Sequence, residues 1–345
     1  MKITTVGIDL AKYAFQGHGL DERGKVVVKK QLKRHQVLGF FSNMPPCLIG
    51  MEACSGAHFW ARRLQAQGHT VRLMAPQFGK PYVKNNKSDA ADAEAICEAV
   101  GRPNMRFVPI KNIEQPAALS LHRVQQGFIR ERTALANRIR GLLAEFGLII
   151  PQGIHHIARR MLEILEDADN ELSDPMRALP ARLLEHLQEL NRQAQELEAQ
   201  IIARHRGNEL SRKLEAVPRI GPLTASALVA TVGDATNFKN ARQMAAWLGL
   251  VPKQESSGGK TVLLGISKRG DVYLRTLLIH GARAVLWAAQ RRKATVHRWG
   301  QGLLERRNAN VAAVAMANKS ARIVWALLAK ARQCDPQHVS VPVAA

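Results

Sequence analysis

ITTVGIDLAKYAFQGHGLDERGKVVVKKQL, residues 3–32, holds three short apolar runs: ITTVGID (3–9), YAFQGHGL (13–20) and KVVVKKQL (25–32). Turn-prone Ala-Lys and Asp-Glu-Arg-Gly stretches separate them, which predicts an antiparallel meander of strands. Downstream, a helix-like stretch at 34–42 leads to the apolar strand CLIGME (47–52). Helix SGAHFWARRLQAQG (55–68), strand HTVRLM (69–74) and helix SDAADAEAICEAV (88–100) follow. A meander continued by alternating strands and helices predicts an α/β unit, a mixed sheet with helices on its faces.

Four acids occupy telling places in that scheme. Asp9 ends the first strand, Glu52 ends the fourth, and Asp89 and Asp92 open the last helix. Asp89 and Asp92 are three apart and share a helix face, with Ser88 as the expected N-cap and the helix N-terminus favouring their charge. Singly, each has an ordinary structural explanation. As a set they are harder to dismiss, because Asp9 and Glu52 directly follow apolar strand residues where an unpartnered charge is costly. Crowded carboxylates repel, and a hard cation with oxygen ligands, Mg²⁺, relieves them. Asp9, Glu52, Asp89 and Asp92 are therefore the expected metal ligands, and such a centre serves phosphate chemistry.

The partner class follows from charge. The chain has 345 residues, with 50 Lys and Arg against 28 Asp and Glu, a formal net charge of +22. Such a balance seeks polyanions, nucleic acid first. The charge is uneven: +9 over residues 1–112, −2 over 113–205, where lysine is absent, and +15 over 206–345. This pattern predicts two basic, nucleic-acid-facing regions joined by a mechanical spacer. The four cysteines, Cys47, Cys54, Cys97 and Cys334, show neither zinc-ligand spacing nor a disulfide pattern. The opening MKITTVGIDLAKY lacks the apolar core of a signal peptide, and no uninterrupted apolar run reaches about 18 residues. The expectation is a protein of the cytoplasm and nucleoid that does not span a membrane.

In the middle segment, Leu121, Val124, Phe128, Leu135, Ile139, Leu142 and Phe146 keep a three-four spacing, as do Leu183, Leu187, Leu190, Ala194, Leu197 and Ile201. Two long helices with coiled-coil-like stripes are predicted. An intramolecular hairpin and an intermolecular arm both satisfy the pattern.

The last region opens with LEAVPRIGPLTASALVATVGD (214–234), a helix, a tight turn and a small-residue helix resembling a helix-hairpin-helix. Gly221 would let a phosphate approach the second helix N-terminus, and Arg219 would add charge. FKNARQMAAWLGLVPKQ (238–254) reads as an amphipathic helix, and ESSGGKTVLLGISKRGD (255–271) as a polar loop interrupting the helices. Lys253, Lys260, Lys268 and Arg269 flank Ser256 and Ser257, and Arg275 and Arg283 lie two turns apart on the next helix. Cations around a serine can hold a scissile phosphodiester and lower the cost of charge at phosphorus. A nucleophilic serine still needs a base or metal, and the loop's only acid is Glu255. The carboxylate set could supply that metal in a composite centre. NVAAVAMANKSARIVWALLAKARQ (310–333) is interrupted by polar residues and reads as a core helix. The residues after it lack a helical pattern.

GIDLAK (7–12), GMEACSG (50–56) and KSDAADAEAI (87–96) resemble the three blocks of a RuvC-like, DEDD-type insertion-sequence transposase. WLGLVPKQESSGGKTVLLGISKRGDVYLRTLLIHGARA (247–284) resembles the C-terminal serine domain of the same family, in which the serine before the glycine pair is the nucleophile. By motif position that is Ser257, with Ser256 second. The resemblance implies an RNase H-like domain over 1–112, a helical spacer over 113–205, a mainly helical serine domain over 206–335 and a tail over 336–345. It further implies site-specific DNA recombination through a covalent serine–DNA intermediate, assisted by the carboxylates and guided by a structured RNA that pairs with element ends and target. A dimer or tetramer is the expected assembly. Two other functions fit the residues: a metal-dependent nuclease or Holliday-junction resolvase using the acids alone, and a non-catalytic architectural binder.

Overall fold

A computed structural model describes residues 2–84, 86, 88–291 and 295–330. The chain forms two compact units, residues 1–114 and 115–345. The tail at 336–345, Cys334 and Lys87 lie outside the described residues.

The first unit runs β1 (Ile3–Leu10), β2 (Ala14–Asp21), β3 (Val26–Lys33), α1 (Val37–Ser42), β4 (Leu48–Glu52), α2 (Ala57–Gln65), β5 (Thr70–Met74), α3 (Pro76–Gly79), α4 (Asp89–Val100) and β6 (Phe107–Val108). One sheet has the order β3-β2-β1-β4-β5-β6. The meander is antiparallel as its turns require, and Asp21 closes the second turn by accepting the backbone N–H of Arg23 and Lys25, each at 2.9 Å. β4 runs parallel to β1, and β5 parallel to β4. This mixed sheet is compatible with an RNase H-like domain.

Period-two alternation sends Val6, Ile8, Ile49 and Met51 to one face, where Phe41 of α1 and Ala57, Trp60, Ala61 and Leu64 of α2 cover them. The opposite face carries Gly7 and Gly50, and α4 lies directly on it. A methyl group at Gly7 would fall 2.3 Å from the Ala93 carbonyl oxygen, and one at Gly50 2.7 Å from Val100 Cβ. Only glycine permits that approach.

The second unit runs α5 (Glu114–Ala144), α6 (Ile154–Glu166), α7 (Asp174–Arg206), α8 (Glu209–Glu215), α9 (Pro222–Val232), α10 (Ala241–Trp247), β7 (Pro252–Ser257), β8 (Lys260–Ile266), α11 (Val272–Arg291), α12 (Thr295–Leu304) and α13 (Ala309–Ala329). Leu135, Ile139 and Leu143 of α5 share one core with Ile157, Met161 and Ile164 of α6 and Leu184, Leu187 and Leu190 of α7. The central parts of the two apolar stripes are thus buried within the chain's own helical cluster. Between them sits α6, which the stripe pattern did not include. Near its start, α5 also turns a different face inward than its Leu121–Val124–Phe128 spacing predicts: His122 and Gln125 are buried and Val124 is exposed.

A second core joins α8, α9, α10, α11 and α13. Among the described residues α13 alone is long and apolar enough to cross a membrane by length and composition. Its Ala312, Ala313, Met316, Ala317, Ala321 and Val324 form the centre of this core.

Candidate functional site

The carboxylates are placed by the glycines beneath α4. Gly7-Ile8-Asp9 and Gly50-Met51-Glu52 stand side by side on parallel β1 and β4, with Gly7 paired to Gly50 and Ile8 to Met51. Asp9 and Glu52, two residues beyond the glycines, therefore point to the α4 face from strands about 4.8 Å apart. The register of α4 brings in the other pair. The Cys97 thiol reaches the Thr5 carbonyl oxygen at 3.8 Å, and Ala93 sits over Gly7. Four helical residues rise about 6 Å and two strand residues about 6.6 Å, so the next step sets Asp89 beside the strand end that carries Asp9. Ser88 caps the helix as predicted, its Oγ accepting the Ala91 N–H at 3.2 Å.

Cys54 borders both strand-end acids. Burial pushes its thiol pKa up, and the charges of Glu52 and Asp9 add to that rise. Glu52 also packs closely on α3, where a methyl group at Gly79 would lie 3.1 Å from its Oε1. The four acids supply only oxygen, the donor set that suits Mg²⁺. Among the described residues, however, no three His, Cys, Asp or Glu side chains are grouped closely enough to hold a metal ion. Asp9 and Glu52 thus stand at neighbouring strand ends on the α4 face, and Asp89 and Asp92 lie in the first turn of α4.

The expected serine loop is instead a two-stranded antiparallel ribbon, β7–β8, exposed along nearly its whole length. Gly258 and Gly259 form its tip with φ of 55° and 78°, the left-handed values that a two-residue hairpin turn needs. Ser257 is the last paired residue before the tip and lies opposite Lys260; Ser256 lies opposite Thr261. Neighbouring strand residues face opposite sides, so the two serines are not interchangeable. Ser256 accepts a hydrogen bond from Gln254 at 2.9 Å. On the Ser257 side, Glu255 is ion-paired with Lys253.

The ribbon is held at its root. The Ser267 N–H donates to the Val251 carbonyl at 2.8 Å, and Asn318 of α13 donates to the Leu250 carbonyl at 3.0 Å. Arg275, expected from the sequence to meet phosphate, is only 7% exposed. Its guanidinium donates to the Leu248 carbonyl at 3.1 Å and the Arg269 carbonyl at 2.9 Å, one on each side of the root. Arg275 is therefore a positioning residue for the ribbon. Lys260, Lys268, Arg269 and Arg283 are exposed, and Arg283 donates to Asn310 at 3.0 Å.

In the turn between α8 and α9, Arg219 has a φ of 93° and donates to Ser320 of α13 at 2.8 Å. Gly221 caps α9 and is exposed. Lys319 completes a cationic cluster with Arg219 and Arg322; burial and those two charges together lower its pKa. Its Nζ lies 4.5 Å above the Trp299 ring. Sequence reasoning missed this cluster because its members are about a hundred residues apart.

His122 was also missed. It is 1% exposed and bonds Tyr273 Oη at 3.0 Å and Ser226 Oγ at 3.1 Å, linking α5 to α11 and α9. Burial lowers its pKa to about 4.

Two family models match the chain, one spanning nearly all of the first unit and α5 and the other lying within the second unit. Residues 6–147 match a transposase family of the DEDD IS110 type, and residues 211–297 match the transposase IS116/IS110/IS902 family. The chain is 54% identical over 331 residues to a probable family 20 transposase of Pseudomonas aeruginosa, covering 96% of this chain and 98% of that protein. It is 41% identical to the transposase for insertion sequence element IS1328 of Yersinia enterocolitica, over 94% and 96% of the two chains. It is 42% identical to the transposase for insertion sequence element IS1111A of Coxiella burnetii, over 95% and 90%.

Proposed function

The chain belongs to the IS110/IS116 family of insertion-sequence transposases and is a DNA transposase, and from that premise we propose that it exchanges DNA strands through a covalent bond to Ser257. In this scheme Ser257 Oγ bonds to phosphorus as one phosphodiester P–O bond breaks. The departing strand leaves with a hydroxyl end that takes up the proton lost by the serine. Attack by the hydroxyl of a second strand then releases the serine and rejoins the DNA, so the bond energy is conserved.

The observation that carries this proposal is the position of Ser257: exposed, at the ribbon tip, directly opposite Lys260. A hydroxyl presented in this way serves no packing role, and the cation beside it offsets charge developing on the phosphoryl oxygens. Lys253, Lys268, Arg269 and Arg283 extend the phosphate-binding surface, with Arg219 and Gly221 gripping backbone elsewhere on the same unit.

Asp9, Glu52, Asp89 and Asp92 are proposed to hold Mg²⁺, which when bound would supply positive charge to the reacting phosphate. Their shared face and all-oxygen chemistry support this, and DNA-bound closure of the set is part of the proposal. Both groups of residues are required for the one reaction. The labour divides among a carboxylate domain over 1–112, a helical spacer over 113–205 and a serine domain over 206–335.

A structured guide RNA is proposed to choose element ends and target. Base pairing delegated to an RNA leaves no sequence code in side chains, and the basic surface suits the backbone of such a helix. Joining two ends requires a dimer or tetramer, working on DNA in the cytoplasm.

One observation favours a second function, a metal-dependent nuclease or junction resolvase. Glu255, the ribbon's acid nearest Ser257, is already bound by Lys253, leaving Ser257 without a base of its own on the ribbon. Denaturing gels of protein incubated with labelled element-end DNA, with and without co-purified RNA, separate the two. A protein–DNA band lost in Ser257→Ala supports serine attack. Cleavage without such a band, abolished by Asp9→Asn and retained in Ser257→Ala, establishes the nuclease.

A further inference from the structure

At the outer edge of the first unit's sheet, the β1–β2 turn and the end of β3 enclose an open groove of about 570 Å³ lined by Tyr13, Ala14, Gln31, Lys33, Arg34, His35 and Gln36. We propose that this groove binds an unpaired base of a DNA strand, stacked on Tyr13, with the strand running across the sheet towards the carboxylates. The proposal rests on the assignment of those carboxylates to DNA chemistry.

Three observations lead to it. The first is the exposure of Tyr13, at 75%, in the turn between β1 and β2. A large aromatic ring in water gains nothing for folding, and a planar face is what any base can stack on. The ring already has one cation beside it, Lys12 Nζ at 5.2 Å from the centroid.

The second is charge and rigidity. Lys33 and Arg34 line the groove, and no acid does. The Arg34 guanidinium is fixed over Trp60 at 5.2 Å and Phe15 at 5.9 Å. The Arg34 N–H donates to the Tyr13 carbonyl at 3.2 Å, and the Lys33 N–H to Gln36 Oε1 at 2.9 Å. The cations are thus carried on a braced backbone, which lowers the ordering cost of binding.

The third is register. Asp9 pairs with Gln16 across β1 and β2, and Gln16 with Gln31 across β2 and β3. Paired residues share a face, so Asp9, Gln16 and Gln31 form one row across three strands, ending at the groove. Lys33 and Ala14, paired with each other, lie on that same face. Two strand spacings, about 10 Å, separate the groove from Asp9. A free nucleotide would want a closed pocket with a phosphate cradle; an open, cationic groove with an aromatic floor suits one position along a strand.

The test is fluorescence anisotropy with the full-length protein and one oligonucleotide sequence presented as single-stranded DNA, duplex DNA and single-stranded RNA. Tyr13→Ala should weaken single-stranded DNA binding about 5- to 150-fold, the range of aromatic–base stacking, with duplex binding within twofold of the parent. Tyr13→Phe should restore it. A 2-aminopurine base in the single strand should lose fluorescence on binding the parent and not on binding Tyr13→Ala. Circular dichroism melts of both variants should match the parent, because the ring is exposed.

The proposal is overturned if Tyr13→Ala binds single-stranded DNA within twofold of the parent. It is equally overturned if duplex affinity falls as much, or if only RNA binding falls. Failure of the underlying assignment reads differently: Asp9→Asn would then leave strand exchange intact, whatever Tyr13 does.

Discussion

Replacing Arg275 by methionine distinguishes a buried brace from a phosphate contact. Two hydrogen bonds from a charged donor to carbonyls are lost, those to Leu248 at 3.1 Å and Arg269 at 2.9 Å. Each such bond contributes about 1.5–3 kcal/mol. Methionine fills much of the volume and no longer has to bury a charge, which returns part of that sum. The expected net loss is about 2–4 kcal/mol, and Arg275→Lys, with a point charge in place of the planar fork, should lose about half as much. Urea unfolding followed by tryptophan emission reads this, since Trp247 stands at the end of α10 beside the ribbon root. Salt dependence of DNA binding is the companion measurement. A brace leaves the slope of log K against log salt unchanged, whereas loss of a phosphate contact reduces it by about 0.9. A methionine variant within 0.5 kcal/mol of the parent (roughly the error of such measurements), with a slope reduced by one contact, would refute the role assigned here.

Ser257→Ala should remove the covalent protein–DNA band, while Ser256→Ala, on the opposite face of the ribbon and bonded to Gln254, should keep it on the same gel. Gly7→Ala should cost about 1–3 kcal/mol through overpacking, because the added methyl meets the Ala93 carbonyl at 2.3 Å; Gly17→Ala, whose nearest neighbour is 3.5 Å away, is the control in chemical denaturation. The same Gly7 variant should lose strand exchange as α4 and its two acids are displaced. His122 sets a pH dependence. Its folded pKa of about 4 lies below the unfolded value near 6.5, so the unfolded chain binds the proton first. Its contribution is complete above pH 6.5 and lost as pH falls towards 4, about 3 kcal/mol in all. The pH slope of the urea midpoint over that interval should flatten in His122→Gln.

The α/β unit was legible because its strands are short apolar runs between strong turn signals, and because Ser88 marks the start of α4. The strand-end places of Asp9 and Glu52 were legible too, and the repeated Gly-x-acid at Gly7–Asp9 and Gly50–Glu52 was the unread signal for how tightly α4 would sit. β7 and β8 escaped notice because they are exposed on both faces and so lack the alternation that marks a half-buried strand. Only the adjacent glycines hinted at a hairpin. The identity of Arg275 as a brace could not be read at all. Its partner carbonyls stand 27 and 6 residues away, and nothing in an amphipathic spacing distinguishes an arginine that faces inward. α6 had a usable signal in Ile154, Ile157, Met161 and Ile164, obscured by the paired histidines at its start.

The ribbon that bears Ser257 also shows Val262, Leu263 and Leu264 to water, at 49%, 61% and 44% exposure. Two strands alone are barely stable in water, so an arm of this kind has a defined base and an undefined aim. Its tip acquires a bearing from whatever the arm comes to rest on. Under the proposed chemistry, a partner surface that covers these three apolar side chains would also fix where Ser257 points.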